Sequence, residues 1–305
     1  MREENQNGQK QKKEALYGER FGGLAFFSFI AVYCVVSFVG QAVLQSFSPS
    51  ETVSVAISAL FSVLSMYIVI KTISLQRKEK ITLTAYAKKF DFAYIFPSII
   101  LAFGMLFGLG FINYAVSDLV VALGGKIHSR DIPLNSVGQL LLFVFLLGVL
   151  PAVEEECFFR GLLLSNLKNG KKASGIFIVA LCFAFYHGNV SQLVYQFIYG
   201  IFLAILTIRA KSVVAGMIAH FTNNAFVLIA QYYNLQINLT DIKTIIVGLV
   251  LLSMFFTFIF FYKRNEKDEF TEQPRHDEKA ERFFIPYGIA GLAVCTVMIV
   301  AGVLV

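Results

Sequence analysis

The chain has 305 residues, 57% of them hydrophobic and 15% charged, which exceeds the roughly 45–50% apolar content of soluble domains. Its formal charge is +6, but the Lys and Arg residues stand in short blocks between apolar runs, where they act as topology signals, so no nucleic-acid partner is expected. Cys34, Cys157, Cys182 and Cys295 all fall inside apolar runs and form no CxxC pair, which excludes a disulfide framework and a thiolate metal site.

The fold expected is all-α: a polytopic membrane bundle of about eight to nine transmembrane helices. Residues 1–20 are polar and of mixed charge and read as a cytoplasmic tail. The apolar run after them is too long for a signal-peptide core and has no cleavage site, so it is expected to stay as a membrane helix. Nine spans follow from the need for about 20 apolar residues to cross about 30 Å: 21–44, 52–73, 92–123, 136–164, 173–186, 192–208, 213–232, 242–262 and 283–305. The fifth is the shortest and is expected to be tilted or partly embedded. By content the chain divides into the tail, N-terminal membrane helices over 21–131, a core over 132–232 that carries the chemistry, and C-terminal helices over 233–305 with a charged linker at 263–282.

Loop charge orients these spans. Arg2, Lys10, Lys12, Lys13 and Arg20 crowd the tail, and Lys71 to Lys89 the second loop. Lys168, Lys171 and Lys172 mark the fourth, Arg209 and Lys211 the sixth, and Lys263 to Arg282 the eighth, whereas the loops between are poor in positive charge. A multi-pass protein of the cell membrane with its N-terminus cytoplasmic and C-terminus outside fits this pattern. Gly104 and Gly108 form a GxxxG that permits close helix approach but is common by chance, and Asp118 reads as an interfacial cap. His128 in an outer loop and His276 in the linker read as exposed. The last helix reads as peripheral.

One stretch of the fourth span breaks the apolar pattern. Pro151-Ala-Val-Glu154-Glu155-Glu156-Cys-Phe-Phe-Arg160-Gly161 puts three carboxylates and a guanidinium into a run, 132–167, that has no other charge. An ionised side chain at mid-bilayer costs roughly 2.5–3.5 kcal/mol on insertion scales, so such groups are expected to be paired or to face a wet cavity. Glu156 and Arg160, four apart, share a helical face, which makes Arg160 the natural partner of Glu156 and leaves Glu155 the carboxylate freest to do chemistry.

Two further spans carry strong polar groups. Phe183 and His187 share a face of the fifth, and His220 and Asn224 a face of the seventh. At 1.5 Å per residue from the cytoplasmic ends, Glu155 lies about 15–20 Å deep, His187 about 20–23 Å, His220 about 13 Å and Asn224 about 20 Å, so all can share one cavity. One carboxylate and two imidazoles suit activation of a water, with Glu155 as general base, His187 orienting the water or donating a proton, and His220 with Asn224 donating to an oxyanion. The same Glu155, His187 and His220 could instead ligate Zn²⁺, with Tyr186, Thr222 and Asn223 as candidate partners of the imidazoles by sequence proximity. HExxH spacing is absent, and no cofactor is fixed by the sequence.

In this order on successive spans, Glu155-Glu156-x-x-x-Arg160, Phe183-x-x-x-His187 and His220-x-x-x-Asn224 resemble the three motifs of the CAAX-protease and bacteriocin-processing (CPBP, or Abi) family of intramembrane proteases. The resemblance covers roughly 141–230. It implies an all-helical endopeptidase that cuts a membrane-associated or lipidated peptide or protein, with Glu155 and His187 activating water and His220 and Asn224 stabilising the oxyanion. Glu156, Arg160 and Phe183 then support the site, and Glu154, outside the motif, has no catalytic role. The alternatives are a proton-coupled transporter using these residues as a relay, and a non-catalytic scaffold or immunity protein that binds a membrane signalling partner.

Overall fold

The computed structural model describes residues 2–77, 90–127, 132–165, 173–262 and 278–304. His128, His276, Lys168 to Lys172, Lys78 to Lys89 and most of the charged linker lie outside them. The architecture is a helical bundle with no strand among the described residues. Among the described residues, eight helices are long and apolar enough to span a membrane; Ala173–Tyr186 is apolar but shorter, about 21 Å at 1.5 Å per residue. The protein is a multi-pass membrane protein.

The helices in order are α1 (Arg2–Phe47), α2 (Glu51–Arg77), α3 (Ile95–Leu109) and α4 (Phe111–Ala122), followed by a composite helix, and then α7 (Ala173–Tyr186), α8 (Leu193–Ala210), α9 (Val213–Tyr232), α10 (Ile242–Phe261) and α11 (Glu278–Leu304). The composite helix joins α5 (Val137–Phe143), a π segment (Val144–Val149), α6 (Leu150–Glu155) and a second π segment (Glu156–Leu164). Helix α1 runs back through the charged N-terminal stretch rather than starting at Phe21. The third expected span is interrupted at Gly110, which separates α3 from α4.

Pro151 explains the first π segment. It has no N–H to give the carbonyl of Leu147 four residues earlier, and its ring would clash with that carbonyl in a regular α-helix. Widening the turn relieves the clash, and such π-bulges are frequent at functional sites. The composite helix is then held on three sides. Helices α7, α8 and α9 form the centre with it, α1 packs on its second π segment, α2 on α6, and α3 with α10 closes on α9.

Phe26 and Phe29 of α1, Phe158 and Phe159 of the composite helix and Phe183 of α7 are fully buried. They form one aromatic mass, with Phe29 and Phe158 centroids 4.9 Å apart and Phe159 edge-on to Phe183 at 5.2 Å. On the opposite side, Gly104 and Gly108 face α10, and a Cβ added to Gly248 would overlap the backbone of Gly108. The GxxxG spacing is therefore used here, for close packing of α3 on α10. Helix α11 is less peripheral than its composition implies: it packs along α1 and against α7, burying Cys295 and Ile299.

Candidate active site

The second π segment begins at Glu156, so the three carboxylates straddle an α-to-π junction, and each faces a different neighbour. Glu156 is fully buried and pairs with Arg160 at 2.8 Å, Nη1 to Oε1, as the four-residue spacing predicts. Arg160 is fixed on two more sides: Nη2 donates to the carbonyl of Gly200 on α8 at 3.1 Å, and its guanidinium lies 4.3 Å from the centroid of the Phe183 ring, a cation–π contact. Gly216 lets α9 approach, since a Cβ there would stand 2.6 Å from Glu156 Oε2.

Glu155 turns the other way. Its Oε2 is buried, accepts no hydrogen bond from the protein, and lies 3.9 Å from Nε2 of His187 and 3.9 Å from Nε2 of His220. Both imidazoles are anchored through their far nitrogen. His187 Nδ1 is 2.7 Å from the carbonyl of Phe183, and His220 Nδ1 is 3.2 Å from Glu156 Oε1. A carbonyl and a carboxylate oxygen only accept, so each Nδ1 carries a hydrogen and each ring turns its Nε2 toward Glu155. Phe183 is the platform for the group, edge-on to the His187 ring at 4.6 Å and to the His220 ring at 5.9 Å.

The separations decide what fits between these atoms. A gap of 3.9 Å is too long for a direct hydrogen bond and lets one water sit about 2.8 Å from both atoms. The donor types would also suit Zn²⁺, but two ligands about 2.0–2.1 Å from a tetrahedral zinc stand only about 3.3 Å apart. No group of three or more His, Cys, Asp or Glu among the described residues is arranged to hold a metal ion. The residues match zinc in kind but not in spacing.

Residues 137–226 match the family model described as Rce1-like, type II CAAX prenyl endopeptidase Rce1-like. This stretch is a CAAX-type protease domain. The match covers under a third of the chain and holds Glu155, Glu156, Arg160, Phe183, His187, His220 and Asn224. No curated protein and no solved structure matches the chain. The CAAX-protease domain makes this chain an intramembrane endopeptidase, and neither the transporter nor the scaffold reading is favoured.

Other expectations for the CAAX-protease domain are met differently. Asn224 is half-buried on α9, one turn beyond His220, and its Nδ2 donates to the carbonyl of Leu147 at 3.1 Å. The imidazoles are not held by Tyr186, Thr222 or Asn223. Thr222 Oγ1 bonds back to the Ile218 carbonyl, Asn223 bonds to Tyr195 and Asn224, and Tyr186 meets His187 only ring to ring. The groups that do hold them are a backbone carbonyl one turn back and a carboxylate from another helix. Ser62 of α2 was not legible as a site neighbour: it donates to Glu154 Oε1, across 92 residues of sequence, and one Ser in an apolar span gives no signal. Tyr195, which donates to Asn223, and Tyr199, whose ring stands edge-on to His220 at 6.4 Å, were missed because an aromatic residue in an apolar span gives no signal either.

Proposed function

We propose that the protein hydrolyses a peptide bond in a membrane-associated or lipidated peptide, using a water held between Glu155 and the histidines. The observation that carries this reading is the convergence of Glu155 Oε2 and two Nε2 atoms at 3.9 Å, with both Nδ1 atoms occupied elsewhere. Glu155 accepts the water proton as its oxygen attacks the scissile carbonyl carbon, and His187 Nε2 holds the second water hydrogen and so aims the lone pair. The carbonyl oxygen becomes the oxyanion, met by Asn224 Nδ2–H and by an Nε2–H of His220, whose ring Glu156 holds at Nδ1. Collapse breaks the C–N bond as Glu155 passes its proton to the leaving amine.

Arg160 keeps Glu156 neutralised and in place behind His220, so this pair supports the site without touching substrate. The proposed orientation has the N-terminus in the cytoplasm and the C-terminus outside, which reporter fusions at each end would check. The activity is tested with purified protein in liposomes, given a farnesylated CAAX peptide and an unlipidated apolar peptide, with products read by mass spectrometry. Cleavage at one defined bond, lost in Glu155→Gln, is expected. Intact peptides with a well-folded protein would overturn the reading.

A further inference from the structure

Behind Asn224 lies a line of hydrogen bonds that the mechanism above does not use. Tyr195 Oη of α8 donates to Asn223 Oδ1 at 3.0 Å, Asn223 Nδ2 donates to Asn224 Oδ1 at 3.2 Å, and Asn224 Nδ2 donates to the Leu147 carbonyl at 3.1 Å. Tyr195 and Asn223 are buried. None of these bonds belongs to a regular helix ladder, and together they tie α8 and α9 to the first π segment of the composite helix.

The direction of the line is fixed at one end. A side-chain amide can be turned over, exchanging its oxygen and nitrogen, and a tyrosine hydroxyl can donate or accept. A backbone carbonyl can only accept, and the carbonyl of Leu147 has lost its α-helical amide partner because Pro151 stands four residues on. Asn224 must therefore turn its nitrogen to Leu147, which turns its oxygen to Asn223. Asn223 must then offer nitrogen, which leaves its own oxygen for the Tyr195 hydroxyl. Any reversal would set two acceptors against each other in a buried site, which costs about 1–3 kcal/mol per unsatisfied group.

We infer that Tyr195 and Asn223 are positioning residues that, with the carbonyl freed by Pro151, fix which way Asn224 presents its amide. The second hydrogen on Asn224 Nδ2 is the one offered to the oxyanion, so the inference rests on the oxyanion role given to Asn224 above. The one-way order makes it testable by polarity at constant shape. Asn223→Asp keeps the size but, when ionised, removes the donor to Asn224; a protonated carboxyl restores one O–H donor and keeps one acceptor.

With the farnesylated CAAX peptide as probe, kcat of Asn223→Asp at neutral pH should fall about 10²-fold, comparable to losing one oxyanion donor, with KM little changed. The ratio of its kcat to that of the unaltered protein should rise as pH falls, because protonation returns the missing donor. A misfolded variant would not recover in this way. Tyr195→Phe should cost about 10-fold, a fraction of a full donor, and should shift the side-chain ¹⁵N resonance of Asn224, assigned by its disappearance in Asn224→Ala. That spectrum requires no substrate. A flat pH ratio for Asn223→Asp, or an unmoved Asn224 resonance in Tyr195→Phe, overturns the inference while leaving the oxyanion role intact. Normal turnover by Asn224→Ala would remove that role and the inference with it.

Discussion

Glu155 and Glu156 are adjacent in sequence and both buried, yet the protein around them differs in how closely it approaches. Oε1 of Glu156 takes two donors from fixed groups, Arg160 at 2.8 Å and His220 at 3.2 Å, and the Arg160 side chain is itself clamped by Gly200 and Phe183. Oε2 of Glu155 has two ring nitrogens at 3.9 Å and no donor. One carboxylate is held through Oε1 by two donors, with its Oε2 left without a partner, and the other is left one water layer short of contact. The same π junction that separates them in direction places His220 between them, with Nδ1 on Glu156 and Nε2 toward Glu155. In the proposed mechanism, structural and reactive charge are thus distinguished by a spacing of about one hydrogen bond, and a shared imidazole couples the two.

The largest effect should come from the open side. Glu155→Gln keeps volume and packing but removes the proton acceptor, so cleavage of the probe peptide should fall about 10²–10⁴-fold, the usual worth of positioned acid–base catalysis, with little change in thermal stability. A well-folded Glu155→Gln protein that cuts normally would end the comparison, since the two carboxylates would then not differ in role.

The ion-paired side should respond in stability first. Arg160→Ala leaves Glu156 buried without its counter-ion and also vacates the face of Phe183, so folding should weaken by roughly 3–5 kcal/mol, the figure for breaking a buried pair. Reduced accumulation and a lower thermal midpoint in detergent are the readouts. A stable but inactive Arg160→Ala protein would move Arg160 from support into contact with substrate.

Much of this contrast was legible in the chain itself. The spacing of Glu156 and Arg160 is a helical one, and Phe183 with His187 and His220 with Asn224 repeat the same four-residue step, so pairs on one helix could be read directly. Partners from elsewhere could not. Ser62 reaches Glu154 from α2, Gly200 meets Arg160 through its backbone, and His220 finds Glu156 across a helix interface, none of which leaves a mark on local pattern. Sequence proximity suggested Tyr186, Thr222 and Asn223 as anchors of the imidazoles; Tyr186 and Thr222 are turned about 100° and 200° away from His187 and His220, and Asn223, three residues from His220, is taken up by Tyr195 and Asn224. Pro151 stands in plain view in the sequence, but a proline alone does not say that its helix is relieved by a π turn. In the fold, the apolar runs gave the spans, whereas the break at Gly110 and the docking of α11 on α1 are tertiary outcomes.

A smaller effect is expected at the third carboxylate. Glu154 Oε1 accepts from Ser62 while Oε2 is buried without a partner. Glu154→Gln keeps a carbonyl oxygen for Ser62, so activity should be nearly unchanged and stability should move by no more than about 1 kcal/mol, the net worth of one such hydrogen bond. A loss comparable to that of Glu155→Gln would mean that the reactive region extends across the junction to α2.

The smallest expected effect is that of chelation, and it tests the open side by its spacing. If the gaps of 3.9 Å are set for a water, Glu155, His187 and His220 do their work with hydrogen bonds alone, and a chelation series on the active protein should leave turnover unchanged. If instead the side chains draw together by about half an ångström to ligand separations of about 3.3 Å, the purified protein should carry zinc in stoichiometric amount. Chelation would then abolish activity and added Zn²⁺ restore it. That outcome would keep the three residues as the site but change the meaning of the contrast with Glu156. The carboxylate at Nδ1 of His220 would then be the outer partner that orients a metal ligand and raises its basicity, rather than the group that holds an oxyanion donor in place. Elemental analysis of the same preparation separates the two, because a water-activating site has no reason to retain zinc through purification.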